Sequence, residues 1–195
     1  MFQVGLTGGI GSGKTLVCSV LEKLGVAVYY ADREARRLMN QDPDLIGGIV
    51  SILGEDSYKR GELDRVFVSE RIFSNPVLLE RMNNEVHPVV RKDYANWVNS
   101  RMDAPYVVEE AAILFESGAN KGLDWTVLVY APENLRIQRV MERDGVDEEK
   151  VRKRMANQMD EEMKKELADE VIMNNEEKLL LPQIIGMHRR ILNRI

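Results

Sequence analysis

Apolar and polar residues alternate over Phe2-Gln3-Val4-Gly5-Leu6-Thr7, which puts Phe2, Val4 and Leu6 on one face of a predicted strand. The period then changes. Val17, Val20, Leu21 and Leu24 recur at helical spacing, and Gly25 is placed to close that helix. Val26 to Tyr30 predicts a second strand. Helices follow over Asp32–Met39 and Asp44–Leu53, the latter ended by Gly54, and residues 55–64 read as polar and turn-like. From Arg65 to about Arg101 the pattern is helical, with interruptions at Asn75-Pro76 and His87-Pro88. Pro88 suits a first helical position better than a helix interior.

Tyr106-Val107-Val108 predicts a buried strand ending in Glu109-Glu110, and Trp125–Tyr130 is an uninterrupted run of the kind central parallel strands show. Pro132-Glu133 opens a helix to about Arg143, and the polar stretch from Asp144 to Glu166 reads as exposed and helical. Val171-Ile172-Met173 predicts a last short strand. The stripe Leu181, Ile184, Ile185, His188, Ile191, Leu192 and Ile195 predicts a terminal helix with Pro182 near its first turn. Strands alternating with helices imply an α/β chain with a mostly parallel sheet.

Between the first strand and the first helix stands Gly8-Gly9-Ile10-Gly11-Ser12-Gly13-Lys14-Thr15, a complete Gly-x-x-x-x-Gly-Lys-Thr phosphate loop. Its glycines let backbone N–H groups turn inward around phosphates, where a Cβ would collide with the ligand or the loop. Lys14 brings a charge to the β- and γ-phosphates, and the Thr15 hydroxyl is a Mg²⁺ ligand. The helix start adds its unpaired N–H groups and positive dipole end. Strand, loop, helix is the order this chemistry requires.

Composition changes the picture little. The 195 residues suit one domain with inserted lobes, and 44% hydrophobic content is enough for a core. A formal charge of −5 argues against nucleic acid as the main partner. With a single cysteine, Cys18, there is no internal disulfide, and its place beside the apolar stripe makes it a packed hydrophobe rather than a nucleophile. No apolar run approaches membrane-span length and the N-terminus starts directly as a strand, so the expected setting is cytoplasmic, with no membrane partner.

Parallel α/β sheets bind ligands beyond the carboxyl ends of their strands. Asp32 follows strand two, where it is either a helix N-cap or the carboxylate that takes the proton of an attacking hydroxyl. Glu109 and Glu110 end another strand, as Mg²⁺-holding acids or as solvated loop acids. Arg136, Arg139 and Arg143 share one helical face and, with Arg152 and Arg154, form either a triphosphate clamp or a solvated surface. His87 and His188 show no metal spacing, so no zinc site is expected.

With these residues placed, the sequence resembles the dephospho-CoA kinases. Gly5 to Thr15 matches that family's opening, and Tyr30-Ala31-Asp32 matches an Asp-Ala-Asp element with its first acid replaced. Gly61-Glu62-Leu63-Asp64-Arg65 and His87-Pro88 match middle-lobe markers. Glu110–Glu116, Gln138–Asp144, Arg154–Gln158 and Val171–Asn175 match later elements in order. At Glu110 and Ala112 the family has Asp and Pro.

The resemblance implies a three-layer P-loop kinase fold: a five-stranded parallel core (about 1–31, 104–135 and 167–195), a helical acceptor lobe (about 32–103) and a lid (about 136–166). The implied reaction moves the ATP γ-phosphoryl to the ribose 3′-hydroxyl of dephospho-CoA, with Mg²⁺ as cofactor. Asp32, Lys14, Arg139 and Arg143 carry the chemistry in that reading. Gly11, Ser12, Gly13, Lys14, Thr15 and Leu16 bind ATP, with Asn174 presenting backbone groups to adenine. Asp32, Arg65 and His87 serve the acceptor, and Thr15 and Glu110 the metal.

Rival readings are another small-metabolite kinase, a non-catalytic nucleotide binder and a GTPase switch. Asn120-Lys121-Gly122-Leu123 misses the guanine motif Asn-Lys-x-Asp at its base-reading acid, which counts against the last.

Overall fold

The computed structural model describes residues 1–73, 75–101 and 103–195. The chain divides into two compact units, one of residues Met1–Tyr30 with Ser100–Ile195, the other Ala31–Asn99.

The first unit holds a parallel sheet of β1 (Gln3–Thr7), β2 (Ala27–Tyr30), β5 (Val107–Glu110), β6 (Trp125–Tyr130) and β7 (Glu170–Met173), in the order β2-β5-β1-β6-β7. Side chains alternate across the sheet. Val4, Leu6, Val28, Val108, Val127, Val129 and Ile172 therefore share one core with helix α1 (Lys14–Lys23) and helix α9 (Leu180–Leu192), which supply Val17, Cys18, Leu21, Ile184, Met187 and Ile191. Cys18 is fully buried there, and burial pushes its thiol far up, so it packs as a small apolar residue. His188, on α9, meets the Tyr106 hydroxyl at 2.8 Å through Nδ1.

On the opposite face Gly5 is closely packed: a Cβ would stand 2.6 Å from the Leu114 and Leu123 methyl ends, which would have to shift to make room. Its register partner is Glu109, 5% exposed, whose carboxyl burial pushes from 4.5 up to about 7. The native chain thus keeps a proton that the unfolded chain releases above pH 4.5. This contribution to stability is complete below pH ~4.5 and is lost as pH rises through ~7. Glu109→Gln removes that slope. Between pH 5 and pH 8 the Tm of the parent chain is expected to fall by a few degrees relative to the variant, and parallel Tm curves would overturn this assignment.

The second unit consists of α2 (Ala31–Gln41), α3 (Pro43–Leu53), α4 (Arg65–Phe73), α5 (Pro76–Asn99) and a two-stranded hairpin, β3 (Tyr58–Lys59) with β4 (Glu62–Leu63). Short side chains start its helices. Asp42 Oδ1 accepts the Asp44 and Leu45 N–H groups, Asp64 Oδ1 those of Val66 and Phe67, and Asn75 Oδ1 those of Val77 and Leu78. The stretch Gly61–Arg65 gains a physical reading from this. Arg60 (φ 54°) and Gly61 (φ 84°) make the left-handed turn a two-residue hairpin needs, Leu63 pairs with Tyr58, and Asp64 caps α4.

Two expectations need correction. Helix α5 runs unbroken through His87-Pro88, with Pro88 inside it, because the stripe Met82, Val86, Val90, Tyr94 and Val98 is buried on both sides of the proline. That packing outweighs the hydrogen bond Pro88 cannot donate. The stretch Asp144–Glu166 is two helices, α7 (Glu148–Met155) and α8 (Glu161–Leu167), and is not wholly exposed: Val151, Glu161 and Lys164 are buried. Among the described residues, no helix is long and apolar enough to cross a membrane.

Candidate active site

Residues 8–13 leave β1 and enter α1 at Lys14. Gly13 is the N-cap, with φ 99°, and no side chain caps the helix. The N–H groups of the first turn therefore lack a side-chain acceptor and, with the helix dipole, form an anion site. The need for glycine here has a source the sequence did not disclose. A Cβ at Gly11 would stand 2.5 Å from the Arg136 carbonyl, and one at Gly13 would overlap Asn174 Nδ2. The loop is thus pressed from outside by helix α6 (Glu133–Asp144) and by the end of β7, as well as open to a ligand.

Lys14 Nζ donates to the Gly8 carbonyl at 2.8 Å and lies 3.7 Å from Glu110 Oε1, each side chain being 11% exposed. Period two sends Glu110 to the α1 face and Glu109 to the other. Of the two acids, the one beside the phosphate loop is Glu110. Thr15 and Leu16 are exposed in the first turn of α1.

Thr15 and Glu110 offer oxygen donors only, the chemistry of a hard cation. No cluster of three or more His, Cys, Asp or Glu that could hold a metal occurs among the described residues. A cation here therefore needs phosphate oxygens to complete its shell, which fits Mg²⁺ carried with a nucleoside triphosphate.

The arginines separate by environment despite sharing a helical face. Arg136 is buried, its Nε donating to the Ala131 carbonyl at 3.1 Å. Arg139 Nη1 donates to the Asn174 carbonyl at 3.2 Å, and its Nη2 to Glu176 at 3.1 Å. Arg143 is exposed and, like Arg154, pairs with Asp144, which holds that carboxyl far below the usual range. Arg152 pairs with Glu133 and Glu148. So Arg139 sits one residue from the loop, through Asn174, while Arg143, Arg152 and Arg154 are matched with local acids.

Asn174 Nδ2 donates to the Ser12 carbonyl at 2.7 Å. Its backbone N–H goes to the Tyr130 carbonyl at 2.7 Å, and its own carbonyl accepts from Arg139. The side chain thus serves the loop, and both backbone groups already have partners.

Asp32, Arg65 and His87 all belong to the second unit. Helix α2 opens at Ala31, so Asp32 lies exposed in the first turn, two residues past β2, and not ahead of the helix. Arg65 is the exposed first residue of α4. His87 is half-buried in α5, where burial and Arg91 lower its pKa and keep the ring neutral at pH 7.

Gln158 and Lys164 receive no role from the sequence alone. Gln158 Oε1 accepts the Ile10 N–H at 2.9 Å across 148 residues of chain. Lys164, with a fully buried side chain, donates to the Ala112 carbonyl at 3.0 Å and pairs with Glu116 at 3.2 Å and Glu161 at 3.8 Å. Glu116 also accepts the Met159 N–H at 2.7 Å. A cavity of about 300 Å³ is lined by α6, α7 and the segment leading into α8, with Arg136, Arg152, Gln158 and Glu161 among its walls. The available signals are the resemblances of Glu110–Glu116 and Arg154–Gln158, which mark these segments without giving Gln158 or Lys164 a role.

The sequence profile of the dephospho-CoA kinase family matches residues 2–179. A dephospho-CoA kinase of Bacteroides fragilis (strain YCH46) is 36% identical over 185 residues, covering 95% of this chain and 90% of its own. One from Porphyromonas gingivalis is 39% identical over 186 residues, covering 95% and 92%. The crystal structure of a Thermus thermophilus protein superposes with a TM-score of 0.84 at 32% identity, covering 100% of this chain and 97% of that one. An intact phosphate loop on a five-stranded parallel sheet, with a profile match over nearly the full length, assigns the chain to the dephospho-CoA kinase family.

Proposed function

We propose that the chain transfers the γ-phosphoryl group of ATP to the ribose 3′-hydroxyl of dephospho-CoA, giving ADP and coenzyme A in the cytoplasm. The observation that carries this reading is the family match over residues 2–179, in a chain whose phosphate loop is complete. In it the sheet unit is the nucleotide core, residues 136–166 the lid, and residues 32–103 the acceptor lobe.

The backbone from Gly11 to Leu16 cradles the phosphates, and Lys14 carries its charge to the β,γ end. Magnesium bound with ATP would be held by the Thr15 hydroxyl and the Glu110 carboxylate, and supplies positive charge against the phosphate oxygens. Asp32 takes the proton of the 3′-hydroxyl as the new O–P bond forms and the bond from the γ-phosphorus to the β,γ-bridging oxygen breaks, that oxygen leaving on ADP. Arg139 and Arg143 offset charge on the transferring group once they exchange Glu176 and Asp144 for phosphate oxygens. Arg65 and neutral His87 shape the acceptor side.

The test is an acceptor panel with Mg-ATP. Dephospho-CoA should be converted to coenzyme A with one ADP formed per turnover, while adenylate, cytidylate and pantothenate-type acceptors give little. In the same assay Asp32→Asn should lower kcat by roughly a hundredfold or more with ATP affinity nearly kept. Brisk turnover of another acceptor without dephospho-CoA turnover would overturn the proposal. A change mainly in Tm would return Asp32 to a helix-start role.

A further inference from the structure

Two side-chain amides grip the phosphate loop from different parts of the first unit. Gln158, just ahead of α8, accepts the Ile10 N–H at 2.9 Å, and Asn174, just past β7, donates to the Ser12 carbonyl at 2.7 Å. We propose that Gln158 and Asn174 are positioning residues that set the loop in its phosphate-binding shape before ATP arrives. This inference rests on the ATP-dependent reading above and assigns Asn174 to the phosphates rather than to adenine.

Peptide geometry sets what each grip does to the loop. Among the described residues there are no cis peptide bonds, so the C=O and N–H of each loop peptide unit point in opposite directions. When Asn174 holds the Ser12 carbonyl, the Gly13 N–H of the same unit is turned away from Asn174. When Gln158 holds the Ile10 N–H, the Gly9 carbonyl is turned the other way, where it accepts the Ser12 N–H at 3.1 Å. The Gly9–Ile10 and Ser12–Gly13 peptide units are thereby fixed, and they bracket Gly11. A free glycine-rich loop has many shapes to lose on binding phosphate, and ordering it in advance removes that cost from the binding step.

Both grips are themselves anchored. Asn174 is tied through its backbone to Tyr130 and Arg139. Its neighbour Met173 exchanges two hydrogen bonds with the Gln183 side chain, each 2.9 Å. Gln158 lies between Asn157 and Met159, and the Met159 N–H is fixed by Glu116 at 2.7 Å. The amide side chains are also the right type. A neutral donor or acceptor holds backbone beside a triphosphate without adding a charge that would repel it or compete for it.

Tripolyphosphate separates this role from a contact with the base, because it offers the phosphate chain without adenine. Binding of ATP and of tripolyphosphate is measured by calorimetry for the parent chain, Asn174→Leu and Gln158→Met, at a temperature where Tm shows each to be folded. Both substitutions keep approximate size and add no charge. Each should weaken ATP and tripolyphosphate by the same factor, about tenfold, with KM for dephospho-CoA unchanged. Unaltered affinity for both ligands overturns the inference, and so does a loss for ATP with tripolyphosphate unchanged, which would return Asn174 to adenine. Asn174→Ala and Gln158→Ala are read the same way if a larger replacement fails to fold. Because the binding is read without an acceptor, failure here and failure of the acceptor panel are separate results.

Discussion

Lys14→Ala is expected to lower kcat/KM by about a thousandfold, through both weaker ATP binding and a slower chemical step. The ammonium is held by the Gly8 carbonyl at 2.8 Å, so its position is set by the loop whose ligand it serves. Its other neighbour is Glu110 at 3.7 Å, in surroundings where both side chains are 11% exposed. An alanine removes the positive charge and leaves the carboxylate facing an incoming triphosphate, so attraction is replaced by repulsion at low effective dielectric. Arginine does not restore it. Its planar fork is longer than the ammonium stem and cannot donate to Gly8 from the same place. The double variant Lys14→Ala/Glu110→Gln should recover part of the affinity for ATP measured without magnesium and little of kcat, because it removes the repulsion, does not replace the charge and also removes the carboxylate that would hold magnesium. Steady-state rates with calorimetric ATP binding check all three, and a loss below tenfold in kcat/KM for Lys14→Ala would overturn the role.

That prediction needed little beyond the sequence, because everything Lys14 touches lies near it in the chain or at the end of a neighbouring strand. The strand, loop and helix from Gln3 to Lys23 are written in local periodicity and in one dense motif. Other parts were hidden for identifiable reasons. Strands β3 and β4 are two residues each, too short to show a period, and only the turn pair Arg60-Gly61 marked them. Pro88 was read by its local preference, which the long buried face of α5 outweighs. Arg136, Arg139 and Arg143 look equivalent at their spacing. Yet the first is buried against the loop, the second reaches Asn174, and the third is exposed with Asp144. The bond from Gln158 to Ile10 spans 148 residues, so no local pattern contains it.

The largest stability effect is expected from a residue whose composition suggested only a solvated surface. Lys164→Met should destabilise the fold by about 3–5 kcal/mol, the cost of stripping one partner from a buried ion cluster. Methionine keeps most of the stem volume, so the change isolates the charge from the packing. The Lys164 side chain has no exposure, and its ammonium is shared by the Ala112 carbonyl at 3.0 Å, Glu116 at 3.2 Å and Glu161 at 3.8 Å. Glu161 is 6% exposed, and neither of its oxygens has a hydrogen-bond partner. Its contact with Lys164 is too long for a hydrogen bond and acts through charge alone. Without Lys164 the Glu161 carboxylate keeps its burial and loses its cation, and the more exposed Glu116 loses a partner, so Tm should drop by about 10 °C. Adding Glu116→Gln should return part of the loss, giving a coupling of about 1–3 kcal/mol between positions 164 and 116. Arg152→Ala provides the contrast. It breaks two half-exposed ion pairs, with Glu133 and Glu148, and should shift Tm by less than about 2 °C. If Lys164→Met melted within about 2 °C of the parent chain, the buried cluster would not hold α8 to the segment that follows Glu110. The loop would then have to be supported from that side by Gln158 alone.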